Sequence, residues 1–362
     1  MDQMIEIDGS HGEGGGQILR TSLSLSVLTG TPVRINRIRS SRKAPGLKPQ
    51  HRISAQAAAE ICGGRLIGAQ PNSTELRFHP GKVRAGRHAF DVGTAGSTSL
   101  VLQTLLPPLA FCENASRILV NGGTHVAWSP PGDYLRDVFL HTVGTMGLRA
   151  KLTIRRSGFF PIGGGETEAI VEPSPAPLKP LRIKDRGRLK SLRVISTVAH
   201  LPLSIAERQL NRAMNRLAAQ GLAPQGETGT VESPGKGSFC FIRADFENAR
   251  AGFSALGALG KRAEQVADEA VEDFLKYWKG PGALDRHLAD QVVLYMALAE
   301  GESMVTISEV TEHLKTNIWV IEQFLPIKFG LEEDPSGRGG TLRVTGTAFR
   351  GRRKEWKKHD PD

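Results

Sequence analysis

Hydrophobic and polar positions along the chain follow two recurring patterns. One places apolar residues three and four positions apart, as on one face of a helix, and the other is the short β-branched run of a buried strand. A helical pattern that ends at Gly or Asn and leads into such a strand occurs three times, from Ser22 to Gly30, from Ser97 to Asn114 and from His287 to Gly301. We therefore interpret these segments as copies of one unit.

Each copy continues with a second helix and then a pair of strands. The second helices are predicted at Pro49 to Cys62, Asp133 to Met146 and Leu314 to Phe324. The units span about residues 3–80, 87–173 and 285–347. Strands and helices in this order predict an α/β (α+β) fold built from three repeated βαβαββ units.

Residues 185–280 interrupt this order. Their pattern predicts a strand, a helix, two strands and a second helix, with Pro-rich and Gly-rich segments on either side. We predict a small α/β insert domain between units two and three. The predicted domains are residues 1–184 for repeats one and two, 185–280 for the insert, 281–348 for the third repeat and 349–362 for a basic tail.

The composition narrows the class of protein. The longest apolar run, Leu100 to Phe111, is shorter than the roughly 18 residues that a membrane span requires, and Gln103 and Pro107-Pro108 interrupt it. The first residues are acidic and lack the basic region of a signal peptide, so we expect a soluble cytoplasmic protein. The 3 cysteines are scattered singly, which excludes a disulfide framework and a CxxC metal knuckle.

The charge is basic and unevenly distributed. The 362 residues include 47 Lys and Arg against 37 Asp and Glu, a formal net charge of +10. Residues 31–52 carry +7 with no acid, residues 182–193 carry +5 and the tail 349–362 carries +3. Cations crowded into a segment rich in turn-forming residues repel one another, so residues 31–52 indicate a phosphate-bearing partner.

A glycine-rich segment between a predicted strand and helix is the first candidate site. In GSHGEGGGQILR, residues 9–20, the glycines permit close backbone approach and the helix N-terminus offers unpaired N–H groups to an anion. The spacing fits neither a Walker A loop nor a dinucleotide fingerprint. Glu13 is tolerated beside a phosphate when a divalent cation lies between them. A tight turn without a ligand is the alternative interpretation.

Three further features are ambiguous by themselves. His313 starts a predicted helix, whose N-terminus disfavours imidazolium by about 0.3–1 kcal/mol and keeps a nitrogen free to attack. An ordinary polar first-turn residue is the alternative. Gln103, on an otherwise apolar helix, is either a buried core amide or a ligand contact. The glycine run at residues 163–165 follows Phe159 to Ile162 and by itself fits a bulged hairpin.

Six motifs together resemble the RNA 3′-terminal phosphate cyclase family. In chain order they are GEGGGQILR (12–20), PGLKPQH (45–51), GTAGSTSLVLQT (93–104), FFPIGGGE (159–166), HLADQ (287–291) and HLKTN (313–317). The resemblance covers nearly the whole chain, with the order and spacing of the family. It implies three βαβαββ units with a smaller α/β insert before the last, in agreement with the hydrophobic pattern.

The resemblance implies an ATP-dependent enzyme. In this family a histidine attacks the α-phosphate of ATP, the AMP passes to an RNA 3′-phosphate, and the neighbouring 2′-hydroxyl closes a 2′,3′-cyclic phosphodiester and releases AMP. His313 matches the family nucleophile. The implied partners are ATP, an RNA 3′-phosphate end and a divalent cation, Mg²⁺ or Mn²⁺, without a membrane. The oligomeric state is left open, and a monomer is compatible with the sequence.

The resemblance also assigns binding residues. Glu13 matches the acidic residue beside the metal. The positions that match nucleotide-binding residues are Gln17, Arg20, Gln103, Pro131, His287, Leu288, Ala289, Asp290 and Gln291. The positions that match phosphate- and RNA-binding residues are Arg39, Arg42, Gln50 and His51. Residues 31–52 thus become a candidate phosphate cradle.

Two other classes of protein share features with this sequence. A cyclase-like ribosome-assembly protein has the fold but lacks the catalytic histidine, and the presence of His313, Glu13 and Gln103 favours the enzyme. A transferase of the enolpyruvyl type uses related repeat units and forms no histidine adenylate. We expect Arg42→Ala to weaken the use of ATP or RNA far more than removal of residues 350–362.

Overall fold

The computed structural model describes residues 4–174, 177–335, 337 and 339–351 of the chain. Almost all of the predicted basic tail, 349–362, lies outside the described residues, as does Pro175 before the insert. The predicted α/β fold is confirmed, because helices and mixed β-sheets make up the described chain. None of the helices in the described residues has the length and apolar character needed to span a membrane.

The first unit forms a four-stranded sheet with two helices. Its elements are β1 (Ile5–Asp8), α1 (Gly16–Thr29), β2 (Val33–Asn36), α2 (Pro49–Cys62), β3 (Arg65–Ile67) and β4 (Leu76–His79). The strand order is β1-β2-β4-β3, in which β1 and β2 are parallel and the other pairs are antiparallel. Helix α1 makes the crossover that a parallel pair requires.

The second unit repeats this strand order. Its elements are β5 (Arg87–Asp91), α3 (Thr98–Ala110), β6 (Ser116–Gly122), α4 (Gly132–Tyr134), a π-helical turn (Leu135–Phe139), α5 (Leu140–Thr145), β7 (Ala150–Arg156) and β8 (Gly165–Val171). The order is β5-β6-β8-β7, again with one parallel pair, β5 and β6. The glycine run at residues 163–165 lies where β7 turns into β8.

The next strand, β9 (Arg182–Ile183), precedes the insert. The insert contains β10 (Leu189–Ala199), α6 (Leu203–Ala218), β11 (Gln225–Thr230), β12 (Gly237–Phe246), β13 (Arg250–Leu256) and α7 (Ala263–Lys279). Its strands are ordered β11-β10-β12-β13, and its helices and sheet enclose a core of their own. The sequence pattern does not predict β13, because its RAGFSAL segment has small residues where β-branched ones would indicate a strand.

The third unit is completed after the insert. Its remaining elements are α8 (Arg286–Leu298), β14 (Glu300–Ile307), α9 (Glu312–Phe324), β15 (Phe329–Glu333) and β16 (Gly340–Thr347). The order β9-β14-β16-β15 matches the other two units, because β9 and β14 are parallel and the remaining pairs are antiparallel. The insert therefore interrupts the third unit after its first strand. A two-residue strand is too short to produce an alternating pattern, so the sequence does not show β9.

Helix α1 connects the three units. It packs against α2 of its own unit, α3 of the second and α9 of the third, and nearly all of its residues are buried. Ser24 Oγ donates a hydrogen bond to the Thr104 carbonyl in α3 at 2.7 Å, and Thr21 Oγ1 donates to Asn317 Oδ1 in α9 at 2.6 Å. These bonds satisfy buried hydroxyls and fix the helices relative to one another.

Arg186 joins the two ends of the insert. Its Nη1 donates to the Tyr277 carbonyl at 2.7 Å, and its Nη2 donates to the carbonyl of Gly280. The guanidinium carbon also lies 4.2 Å from the centre of the Tyr277 ring, which is a cation–π contact. The chain thus enters and leaves the insert at neighbouring points.

The insert touches the second unit through Gly252 of β13. A Cβ at this position would lie 2.9 Å from atoms of Phe241, Tyr134 and Val138, so only a glycine leaves room for the contact. The Gly252 N–H also points to Asp285 Oδ2 at 3.4 Å. The backbone of the insert therefore approaches both the second and the third unit.

We expect Gly252→Ala to destabilise the protein by about 1–3 kcal/mol, because the added methyl group overpacks this contact. Gly229→Ala in β11 is the matched control, since no atom lies within 4 Å of the corresponding Cβ position. Chemical denaturation of both variants measures the difference. Equal free energies of unfolding would contradict the close approach of the insert.

Candidate functional site

The glycine-rich loop between β1 and α1 is held against α9. Gly12 has a φ of +55°, and a Cβ there would lie 2.4 Å from Thr316 Oγ1. The same hydroxyl accepts a hydrogen bond from the Glu13 N–H at 3.3 Å. Conformation and space both require glycine at position 12. The loop therefore places Glu13 beside the N-terminal part of α9.

His313, the predicted nucleophile, is held by two oxygen atoms. It is the second residue of α9, and its side chain is half exposed. Its Nδ1 lies 2.5 Å from Gln17 Oε1 and 2.6 Å from Glu13 Oε2. Both oxygens are hydrogen-bond acceptors, so Nδ1 carries a proton and Nε2 keeps its lone pair in the neutral ring.

The groups around His313 raise its pKa. The close contact with the Glu13 carboxylate has the largest effect, burial opposes it, and the negative charges of Asp290 and Glu13 add to it. The expected effect of the helix N-terminus, which disfavours imidazolium by about 0.3–1 kcal/mol, is therefore opposed by the carboxylates of Glu13 and Asp290. The site stabilises a positive charge on the imidazole.

Both carboxylate oxygens of Glu13 have cationic neighbours. Oε1 accepts a hydrogen bond from Arg42, and Oε2 faces His313 Nδ1. Burial favours the neutral acid, but the bonds and charges of His313 and Arg42 outweigh burial and lower the pKa of Glu13. Within the described ranges no three His, Cys, Asp or Glu side chains cluster as metal ligands. The carboxylate predicted to lie near a metal is paired with His313 and Arg42.

Asp290 connects α8 to α1 and α9. Its Oδ2 accepts a hydrogen bond from Gln17 Nε2 at 3.0 Å, and its carbonyl accepts one from Asn317 Nδ2 at 2.6 Å. Burial raises the pKa of Asp290 to about 6, although His313, Gln17 and Arg20 oppose the rise. Because Asp290 engages the amide nitrogen of Gln17, the amide oxygen is the atom that faces His313.

The HLADQ motif forms the first turns of α8. Leu288 and Ala289 are fully buried in the core, so the structure does not bring their side chains to a nucleotide site. They instead fix the helix that carries the polar members of the motif. His287 is exposed, and its Nε2 accepts a hydrogen bond from Arg286 Nε at 3.1 Å.

Gln103 and Gln291 form a bridge between α3 and α8. Gln103 Nε2 donates to Gln291 Oε1 at 2.7 Å, and Gln291 Nε2 donates to the His287 carbonyl at 2.6 Å. Gln103 is partly exposed rather than a fully buried core amide. Its contact with a nucleotide stays a prediction.

Arg20 and His51 lie beside the first residue of α1. A Cβ at Gly16 would lie 2.2 Å from His51 Nε2 and 3.0 Å from Arg20 Nη1. His51 Nδ1 accepts a hydrogen bond from the Lys48 N–H at 3.2 Å, so the proton of the neutral ring is on Nε2. Burial, together with the charges of Arg20, Arg39 and Lys48, lowers the pKa of His51 to about 3. A neutral donor surrounded by cations at a helix N-terminus is an arrangement that suits an anion.

Arg20 keeps its positive charge at neutral pH. Burial lowers the pKa of its guanidinium to about 10, while Asp290 and Glu13 act in the opposite direction. Arg20 therefore contributes a fixed cation between the two carboxylates and His51.

The basic segment 31–52 divides into residues with different roles. Arg39 Nη1 donates to the carbonyls of Ala44 at 2.8 Å and Gly46 at 3.0 Å, so this guanidinium holds the loop together. Arg37 pairs with Asp8, on the β1 side of the loop. Arg42 pairs with Glu13 and is the arginine that the structure brings to His313.

Gln50 links the cradle to the second glycine-rich loop. Its Oε1 accepts a hydrogen bond from the Ser97 N–H at 3.0 Å. A Cβ at Gly96 would lie 3.1 Å from the Cβ of Gln50. The N-terminus of α2 therefore lies between the loop that precedes α3 and the first residue of α1.

Pro131 lies apart from the hydrogen-bonded cluster. It is buried and precedes α4, and its carbonyl accepts a hydrogen bond from the Leu135 N–H at 3.1 Å. Three residues further on, the hydroxyl of Tyr134 donates a hydrogen bond to Oδ1 of Asp285, the residue before α8, at 2.8 Å. Contact between Pro131 and an adenine stays a prediction.

Sequence reasoning missed Asp285, Thr316 and Asn317. Asp285 is the N-cap of α8 and accepts a hydrogen bond from the His287 N–H at 2.9 Å, and burial raises its pKa. An Asp before an apolar helix is a recognisable cap signal. Thr316 and Asn317 lie inside HLKTN, where no spacing rule separates them from ordinary helical residues.

The N-terminal turns of α1, α8 and α9 thus meet at His313, although α1 is far from the other two helices in the sequence. The chain matches the RNA 3′-terminal phosphate cyclase family over residues 11–331, a range that contains all six motifs. This match covers well over half of the chain.

Individual relatives agree with the family match. The chain is 45% identical over 328 residues to the RNA 3′-terminal phosphate cyclase of Methylococcus capsulatus, covering 89% of this chain and 91% of the relative. It is 44% identical to the RNA 3′-terminal phosphate cyclases of Pyrobaculum neutrophilum, covering 95% and 99% of the two chains, and of Thermococcus kodakarensis, covering 94% and 98%. The chain therefore belongs to the RNA 3′-terminal phosphate cyclase family.

Proposed function

We propose that this protein uses ATP to convert an RNA 3′-phosphate end to a 2′,3′-cyclic phosphodiester through a histidine–AMP intermediate. Membership of the family supports the overall reaction. The observation that carries the histidine step is the position of His313 Nδ1 between Gln17 Oε1 and Glu13 Oε2. This arrangement leaves Nε2 as the nucleophilic atom.

In the first step, Nε2 of His313 forms a bond to the α-phosphorus of ATP, and diphosphate leaves. The imidazole becomes cationic, and the Glu13 carboxylate near Nδ1 stabilises that charge. Arg20, Arg42 and the Nε2–H of His51 supply charge and donors for the phosphates near the N-terminus of α1.

In the second step, an oxygen of the RNA 3′-phosphate attacks the phosphorus of the AMP, and the P–N bond breaks. His313 Nε2 recovers its lone pair. The 2′-hydroxyl then attacks the 3′-phosphorus, loses its proton and expels AMP, which closes the ring. The ribose already holds this hydroxyl beside the phosphorus, so the protein has only to align the leaving AMP.

The proposed nucleotide contacts are Arg20, Gln103, Pro131 and the exposed members of HLADQ, whereas Gln17 positions His313 beside the nucleotide. A divalent cation, Mg²⁺ or Mn²⁺, would enter with the triphosphate, whose oxygens are ligands that such ions prefer. The RNA 3′-phosphate would approach Arg42, Gln50 and His51. A non-catalytic ribosome-assembly role is not favoured, because the histidine and both of its oxygen partners are present in bonding positions.

His313→Ala should abolish covalent labelling of the protein by α-³²P-ATP, because it removes the nitrogen that we propose attacks the α-phosphorus. His79→Ala, which removes a histidine from β4, is the control and should label like the unaltered protein. The label should be acid-labile, as a phosphoramidate is. Equal labelling of His313→Ala would contradict the proposed nucleophile.

Gln17→Leu should slow labelling about tenfold, because Nδ1 of His313 loses an acceptor that fixes the orientation of the ring. A tenfold change corresponds to the loss of one hydrogen bond worth about 1.4 kcal/mol. The KM for ATP should change less than the rate constant, since the amide orients the histidine. Gln323→Leu, on the exposed side of the same α9 helix, is the control. A change confined to KM would mean that Gln17 binds ATP and does not position His313.

Arg42→Ala should lower the rate of labelling about 10- to 100-fold, as expected when a charge-assisted hydrogen bond of about 1.5–3 kcal/mol is lost. Arg37→Ala removes an arginine of the same loop that pairs with Asp8, and it should have little effect. Single-turnover kinetics compare the two variants. Similar losses in both would show that only the total charge of the loop matters.

A further inference from the structure

The loop between β7 and β8 exposes large apolar side chains beside the site. Phe160 is 76% exposed and Ile162 is 57% exposed, whereas the neighbouring Phe159 is buried. Two large exposed apolar side chains on one loop make this loop a candidate surface for contact with a ligand.

The backbone of this loop is fixed by its neighbours. Gly163 has a φ of +69°, and a Cβ there would lie 2.7 Å from the Cα of Ala95 and 2.8 Å from the carbonyl of Thr94. The Gly163 N–H donates to the Phe159 carbonyl at 2.7 Å. The ring of Phe159 stacks on His125 with centroids 5.2 Å apart. Phe160 therefore extends from a well-supported turn.

This loop is continuous with the phosphate cradle. Thr94 and Ala95, which contact Gly163, belong to the same glycine-rich loop as Gly96 and Ser97. That loop contacts Gln50, and the next residue, His51, lies beside the first residue of α1. The loop that carries Phe160 is therefore connected through the second glycine-rich loop to the N-termini of α2 and α1.

The insert supplies the other side of this surface. A Cβ at Gly164 would lie 2.9 Å from Pro234, and one at Gly235 would lie 3.2 Å from the Cβ of Ile162. The next residue, Lys236, is exposed. The turn between β11 and β12 therefore adds a cation beside the two exposed apolar residues.

We propose that Phe160, Ile162 and the insert turn Pro234–Lys236 bind the nucleotides that precede the terminal phosphate of a single-stranded RNA. A base stacks on the Phe160 ring, and Lys236 contacts the backbone phosphate. Exposed aromatic rings combined with basic groups that follow the backbone are how proteins hold single strands without sequence preference. The inference rests on the proposed function, because the cradle must hold the RNA 3′ end for the preceding nucleotides to reach this surface.

The test measures how loss of the Phe160 ring changes the affinity for a long RNA and for a mononucleotide. Fluorescence anisotropy measures the Kd of the full chain for a ten-nucleotide, 3′-phosphorylated RNA, and competition measures the Kd for adenosine 3′-phosphate. Phe160→Ala should raise the Kd for the RNA about 5- to 100-fold, the range of one lost base stack, and leave that for the mononucleotide within twofold. Phe160→Trp should restore binding.

Matched variants separate the loss of base stacking from a general effect on the structure. Ile170→Ala removes an apolar side chain that is 37% exposed near the end of β8, and it should leave both Kd values unchanged. Lys236→Ala should reduce the slope of log Kd against log salt concentration by about 0.7, as expected for one lost phosphate contact to a single strand.

An unchanged RNA Kd in Phe160→Ala, or equal loss for the mononucleotide, would overturn the proposal. So would a loss in Trp128→Ala without one in Phe160→Ala, since Trp128 is a fully exposed ring on another loop. Binding does not require adenylate formation. If His313 is never labelled but Phe160 still controls RNA binding, the histidine mechanism fails and this inference stands.

Discussion

The burial of α1 among helices of all three units is the constraint on which the site depends. Gln17 and Arg20 extend from α1, Asp290 from α8 and His313 from α9, so their distances are set by helix packing and not by flexible loops. The hydroxyl contacts of α1 to α3 and α9 keep this packing in one register. A histidine held by such a frame would need little rearrangement to act as the proposed nucleophile.

The two carboxylates of the site already have basic neighbours before any phosphate arrives. Glu13 lies beside His313 and Arg42, and Asp290 interacts with His313 and Arg20. His51 stays neutral because burial and three nearby cations disfavour a further positive charge. A triphosphate would therefore meet donors already oriented by the protein. The Arg42–Glu13 pair is the contact that an incoming phosphate would compete with most directly.

The sequence predicted the fold class because hydrophobic periodicity is a local signal, and the resemblance of six motifs to a known family indicated the candidate site residues. It failed where the outcome depends on distant partners. The two residues of β9 form a strand because they pair with β14. The small residues of β13 form a strand because they pair with β12. The raised pKa of His313 likewise depends on Glu13, 300 residues earlier, and no local rule could include that carboxylate.

The position of the insert within the third unit has a consequence for how the chain folds. Strand β9 must wait for β14, since Leu181 and Ser303, which bond at their junction, are 122 residues apart. Closing so long a loop is entropically costly and slow. The Arg186 contacts with Tyr277 and Gly280 bring the two ends of the insert together once it has folded. The folded insert therefore holds its two ends together and shortens the effective loop that the pairing of β9 with β14 has to close.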